Sequence, residues 1–219
     1  MMQPVRIRFF KHDRAKYISH LDLMRCMTRV IRRAQIPVWY TEGFHPHLYL
    51  TFAQPLSLGF ESDCEFMDLQ LVEPMELEEM KTRLNHILPP EMQVEAIYEP
   101  QRKMDAIAFS VFSLRLYPQT PSEEFCGALD RLLEKSQWVV EKKTKRGVST
   151  IDIRPYVAIL ESHCTPQELF LQVRLPSSQN FSLNPNLLIS LLEREADAQD
   201  CLAQVRRLGV YDEQGEPFQ

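Results

Sequence analysis

The order in which hydrophobic periods change along this chain restricts its fold more than any single residue does. Val5, Ile7 and Phe9 alternate with Arg6 and Arg8, the period-two signature of a strand over residues 5–11. Ser19 then opens a helix, with Asp22 three residues on to complete a capping box. Leu23, Met27, Val30 and Ala34 follow at i, i+4, i+7 and i+11 and make one apolar face. Pro37 comes after that helix, Val38–Tyr40 is a short extended piece, and Leu48, Leu50 and Phe52 alternate again. Gly59 marks a turn before a strand through Met67, Leu69 and Leu71. A second helix spans 75–88, with Leu77, Met80, Leu84 and Ile87 on one side, and a strand over 92–98 closes the set.

A polar, irregular segment covers 99–106, and the order then begins again. Residues 108–117 read as a strand, and Ser122 caps a helix that runs to Lys135. Residues 138–142 and 148–160 are extended, and 168–175 form another strand. Asn184-Pro185, an N-cap followed by proline at the first helical position, opens a helix to Glu195. Residues 202–208 are the last strand. Each half thus reads β-α-β-β-α-β, the ferredoxin-like order. The expected class is α+β, with two tandem ferredoxin-like units, 1–99 and 107–219, each an antiparallel sheet with two helices on one face. The repeat is one of element order, not of residues.

Composition narrows the functional classes. No apolar run approaches the roughly 20 residues that cross a bilayer, and the N-terminus enters its first strand without signal-peptide features. A cytoplasmic location without membrane association is therefore expected. Cysteines stand singly at 26, 64, 126, 164 and 201, without the spacing of a zinc or iron–sulfur motif. They read as scattered reduced thiols, and no metal or cofactor is expected. With six glycines there is no GxxxxGK[ST] or GxGxxG phosphate loop, and neither GxSxG nor HExxH occurs.

The net charge of −5 argues against a polyanion partner, but its distribution is uneven. Residues 1–50 carry nine Lys and Arg against three Asp and Glu, a balance of +6, so the remainder carries −11. Four of these cations, Arg25, Arg29, Arg32 and Arg33, lie on the helix face opposite its apolar stripe. The plain reading is a solvated face. The functional reading is a contact with phosphate, which the planar guanidinium suits. No glutamate interleaves these arginines, and that favours the contact.

Directly after this helix comes Tyr40-Thr41-Glu42-Gly43-Phe44-His45-Pro46-His47. Pro46 fixes its own φ and pushes His45 towards extended geometry, while Gly43 tolerates positive φ. The segment should be a rigid loop in which Tyr40, Phe44, His45 and His47 stack on or hydrogen-bond to nucleobases. The pair His45 and His47 has no third ligand nearby, so metal binding is not expected. His20, at the start of the helix, reads either as a structural histidine or as a general acid–base. A second basic group, Lys142, Lys143, Lys145 and Arg146, reads as a solvated hairpin tip or a phosphate clamp. Arg154 and Asp152, two residues apart, are placed on one strand face.

Three stretches carry a resemblance. Ser19-His20-Leu21-Asp22-Leu23-Met24-Arg25, the 40–47 loop, and Phe52-Ala53-Gln54-Pro55-Leu56-Ser57-Leu58-Gly59 resemble the radical-SAM-linked protein family. Its patterns are approximately SHLDLMR, YSEGFNPHP and FxPPLPLG. This chain departs at His45, where the family usually has Asn, at Leu48, where it often has Pro or Lys, and at Gln54, where it has Pro. Thr150-Ile151-Asp152-Ile153-Arg154-Pro155 is similar to the family's TxDLRP, and Asn184-Pro185 and Arg207-Leu208-Gly209-Val210-Tyr211 are similar to its C-terminal features. Members are encoded beside, or fused to, a cobalamin-domain radical SAM protein. Neighbouring genes often concern ribonuclease G-type enzymes and ribosomal proteins. The resemblance implies a radical SAM partner and a place in RNA metabolism, without an established activity.

Three functional readings follow. The first is an RNA-binding accessory module for a radical SAM enzyme that modifies tRNA or rRNA. In it, Arg25, Arg29, Arg32, Arg33, Tyr40, Phe44, His45 and His47 form the main contact and Lys143, Lys145, Arg146 and Arg154 a second one. The chain cannot itself be that enzyme, because it has no cluster motif. The second is a metal-independent endoribonuclease, similar in architecture to CRISPR repeat-processing enzymes, with His20 or His45 taking the 2′-hydroxyl proton. The third is a protein-docking subunit that does not touch RNA.

Overall fold

A computed structural model describes residues 2–119, 123–144, 147–198 and 201–219; of residues 123, 124, 142–144 and 148 it describes the backbone alone. The protein is α+β, and the chain divides into two compact units. The first comprises Met1–Ala106 together with Phe218–Gln219, and the second Ile107–Pro217.

Unit 1 contains β1 (Gln3–Lys11), α1 (His20–Arg33), β2 (Leu50–Phe52), β3 (Glu61–Leu71), α2 (Leu77–Ile87) and β4 (Val94–Tyr98). Its strands lie in the order β4-β1-β3-β2, and every pair is antiparallel, as the ferredoxin-like order requires. Val5, Ile7 and Phe9 of β1 are wholly buried in one cluster with Leu23, Met27, Val30 and Ile31 of α1 and Met80 and Leu84 of α2. Both helices therefore cover one sheet face. Each such side chain contributes about 1.5–3 kcal/mol by leaving water.

The second unit holds β5 (Phe109–Tyr117), α3 (Glu123–Glu134), β6 (Val139–Thr144), β7 (Gly147–Asp152), β8 (Ala158–Thr165), β9 (Glu168–Pro176), α4 (Pro185–Glu195) and β10 (Leu202–Tyr211). Its strand order, β10-β5-β9-β8, is again antiparallel and matches that of unit 1, with the β6–β7 hairpin added between α3 and β8. The two helices pack on each other, α3 also on β8 and α4 on β5. Asn184 caps α4, its side chain accepting from the Asn186 amide at 2.9 Å. The expected cap at Ser122 lies outside the described residues.

Several sequence expectations need correction. Strand β3 begins at Glu61, six residues before Met67, because backbone pairing with β1 holds a polar stretch that lacks an apolar pattern. Residues 148–160 are not one extended piece. A single 3-10 turn, Arg154–Tyr156, separates β7 from β8, with Pro155 supplying the fixed φ of its first turn. Asp152 and Arg154 thus do not share a strand face. The Asp152 carboxylate instead accepts from the backbone amides of Trp138 (2.7 Å) and Arg154 (3.0 Å). All five cysteines are free thiols as expected, but two of them meet in space: the Sγ atoms of Cys126 on α3 and Cys164 on β8 lie 2.6 Å apart. Among the described residues no helix is long and apolar enough to cross a membrane.

Candidate nucleic-acid interface

Helix α1 has a defined start and stop. The Ser19 hydroxyl accepts from the Asp22 amide (3.2 Å) and donates to the Asp22 carboxylate (2.7 Å). The carboxylate also takes a bond from Arg25 at 3.0 Å. The Ser19 bond and then the Arg25 guanidinium hold the Asp22 carboxyl below its ordinary value. At the other end Gln35 adopts φ +54. The Gln35 amide donates to the Arg32 carbonyl (3.1 Å) and the Ile36 amide to the Ile31 carbonyl (3.2 Å). This is a Schellman cap with glutamine in the place glycine usually takes, and buried Ile31 and Ile36 supply its apolar partners.

The fold neutralises most of the N-terminal cations. Arg6 and Lys11 are buried, at 0% and 2% exposure. Arg6 forms a bidentate pair with Asp68 (2.7 and 2.8 Å), donates to the Gln219 carbonyl (3.0 Å) and lies 4.5 Å from the Phe218 ring centre. Arg8 pairs with Glu95 at 3.2 Å, Arg14 with Glu91 at 3.7 Å and Lys16 with Glu61 at 3.3 Å. Over residues 1–106 there are 13 Lys and Arg against 15 Asp and Glu, a net of −2. The basic excess of the first 50 residues is therefore not a basic face. Among the described residues, no carboxylate pairs with Arg29, Arg32 or Arg33.

These three are not one stripe. Arg29 and Arg33, with Arg25, border a groove of about 470 Å³ whose apolar lining includes Val30 of α1 and Ile87 and Pro89 at the end of α2. Arg32 lies apart, donating to the Tyr40 hydroxyl at 3.1 Å with its guanidinium 5.5 Å from that ring's centre. Cys26 also lines the groove, and burial pushes its thiol up.

The 40–47 loop is a closed corner. Tyr40 bridges Leu48, and the Thr41 amide donates to the His47 carbonyl at 2.8 Å. The His47 amide donates to the Thr41 hydroxyl at 3.1 Å, and His47 Nδ1 lies 2.9 Å from the same oxygen. His47 thus closes the loop as well as lining it. Gly43 has φ +125, and Phe44 at the tip is completely exposed. His45 is exposed too, and its side chain has no hydrogen-bond partner among the described residues. No group of three or more His, Cys, Asp or Glu able to hold a metal occurs among the described residues.

The remaining sites separate. The His20 ring meets Phe52 edge-on, 5.5 Å between centres, above a space of about 10 Å³ that it lines with Lys11, Gln54 and Glu65. That is room for one water molecule. Lys11 and Glu65 are buried ionisable residues that sequence reasoning does not single out. Both interrupt the apolar phase of their strands, Lys11 after Phe9 and Glu65 before Met67, and that interruption was the available signal. Lys145 and Arg146 lie outside the described residues, as do the side chains of Lys142 and Lys143. The Arg154 guanidinium donates to the carbonyls of Ser136 (3.2 Å) and Leu133 (3.4 Å), at the C-terminal end of α3.

No curated protein matches the chain. A crystal structure of an unknown protein from Galdieria sulphuraria is similar to it, with 13% identity over 94% of this chain and 99% of that one; its TM-score of 0.29 is too low for the likeness to carry an argument. The model of one bacterial family matches residues 5–185, most of the chain, so the chain belongs to the family described as an uncharacterized protein conserved in bacteria (DUF2344).

Proposed function

We propose that this protein is a cytoplasmic RNA-binding accessory module that presents tRNA or rRNA to a radical SAM enzyme. The observation that carries the reading is the set Arg29, Arg32 and Arg33, cations without a carboxylate partner among the described residues, of which Arg32 bonds Tyr40 at the base of a loop with a fully exposed phenylalanine. Arginine for phosphate and an aromatic ring for a base are the two components of unpaired-RNA recognition. The radical SAM partner rests on the sequence resemblance alone.

The test is binding of structured RNA across a salt series. Affinity should fall steeply with salt, and Arg29→Gln/Arg32→Gln/Arg33→Gln should flatten the slope by about 2 while the melting temperature holds. An unchanged slope removes α1 from the interface. In the same tubes, metal-free protein should leave the RNA intact over hours. Cleavage leaving 2′,3′-cyclic ends, lost in His20→Ala or His45→Ala, would replace this reading with the nuclease. Retrieval of a radical SAM protein without RNA would leave only the docking role.

A further inference from the structure

The groove between α1 and the end of α2 has a composition that a plain phosphate contact does not require. Its volume of about 470 Å³ falls in the range of roughly 300–1,000 Å³ in which single small ligands are held. Arg29 and Arg33 border it, one helical turn apart on the same side of α1. Arg25 stands a further turn back, tethered to Asp22, which lines the same end of the groove. Val30, Ile87 and Pro89 add an apolar lining. Cations over an apolar lining fit a ligand that is anionic at one end and flat and apolar at the other.

We propose that this groove takes one unpaired nucleotide of an RNA, its base against Val30, Ile87 and Pro89 and its phosphate on Arg29 and Arg33. The inference rests on the RNA-binding reading and deepens it. A paired nucleotide presents its phosphate but keeps its base inside the stack, so it leaves the apolar lining empty. A bulged or flipped nucleotide fills both parts. The groove therefore selects RNA by the presence of an extruded base. Arg32, which faces Tyr40 outside the groove, contributes charge to every RNA alike.

The test uses one RNA stem made fully paired or with a single bulged A, C, G or U. Wild-type protein should bind at least one bulged stem about tenfold more tightly than the paired stem. Arg29→Gln/Arg33→Gln should abolish that preference, whereas Arg32→Gln should weaken all stems equally and keep it. The favoured stem should also slow alkylation of Cys26, followed by peptide mass spectrometry on unmutated protein, so the result does not depend on any variant folding. Equal affinity for paired and all bulged stems, or Cys26 reacting at the same rate with and without the RNA, overturns the groove and leaves the RNA reading standing. Failure to bind any stem overturns both. Free nucleoside 5′-monophosphate binding as tightly as the bulged stem would assign the groove to a small metabolite instead and overturn the proposal.

Discussion

Arg6 shows how far a residue's role is set by what surrounds it. In sequence it belongs to a basic run; in the fold it is a buried cation neutralised by Asp68 directly across the β1–β3 ladder. Removing the carboxylate leaves that charge without its ionic partner. Asp68→Asn should cost about 3 kcal/mol, measured by urea unfolding, and a change below 1 kcal/mol would show that the Gln219 carbonyl and the Phe218 ring suffice. Gly43 makes the opposite case. A Cβ placed there meets nothing within 4 Å, so any penalty comes from the backbone at φ +125. Gly43→Val should cost about 1–3 kcal/mol and, by displacing Phe44, should reduce RNA affinity by more than it reduces stability. Wild-type affinity in this variant would make the loop a structural corner only.

At the scale of the element, α1 is bounded by local chemistry that can be tested at each end. Gln35 occupies left-handed backbone that costs a non-glycine residue about 1–2 kcal/mol, while glycine has more unfolded-state entropy to lose. Gln35→Gly should therefore stabilise the protein by about 0.5–1 kcal/mol, read as a rise in melting temperature; a fall would mean the glutamine side chain holds something the backbone does not reveal. At the start of the helix, the Asp22 carboxyl is held below its ordinary 3.8 by Ser19 and Arg25. A group whose folded value is depressed stabilises the fold above its unfolded value and loses that contribution as pH falls through the folded one. The contribution of Asp22 should thus be complete above pH 4–5 and fade below about pH 4. Ser19→Ala should lower stability by about 1 kcal/mol at pH 7 and raise the Asp22 titration midpoint in NMR. An unmoved midpoint would refute the hydrogen bond as the cause.

The whole molecule joins distant parts of the chain. Phe218 and Gln219 belong to unit 1, where the Phe218 ring meets Phe66 edge-on at 5.2 Å and lies against Arg6. Phe218→Ala should cost about 3–5 kcal/mol. The loss should appear in unit 1 first, as faster hydrogen exchange in β1 and β3 than in β5 and β9. Exchange that rises evenly in both units would argue that they unfold together.

The sequence alone determined the class and the order of elements, because a period of two or of 3.6 is a local property that apolar residues write directly. The Ser19 and Asn184 caps and the positive φ at Gly43 were legible for the same reason: each depends on a few adjacent residues. The arginines of α1 were also legible as a surface face, but not their division between a groove and Tyr40. That division depends on where Ile87, Pro89 and Tyr40 come to lie, and pairing across 50 residues has no local signature. The polar start of β3, the meeting of Cys126 and Cys164, and the burial of Lys11 beside Glu65 were decided by tertiary structure alone. The same holds for the charge of residues 1–50: Glu61, Asp68, Glu91 and Glu95 arrive from later in the chain to neutralise it. Electrostatic energy follows distance in space, and only the fold sets that distance.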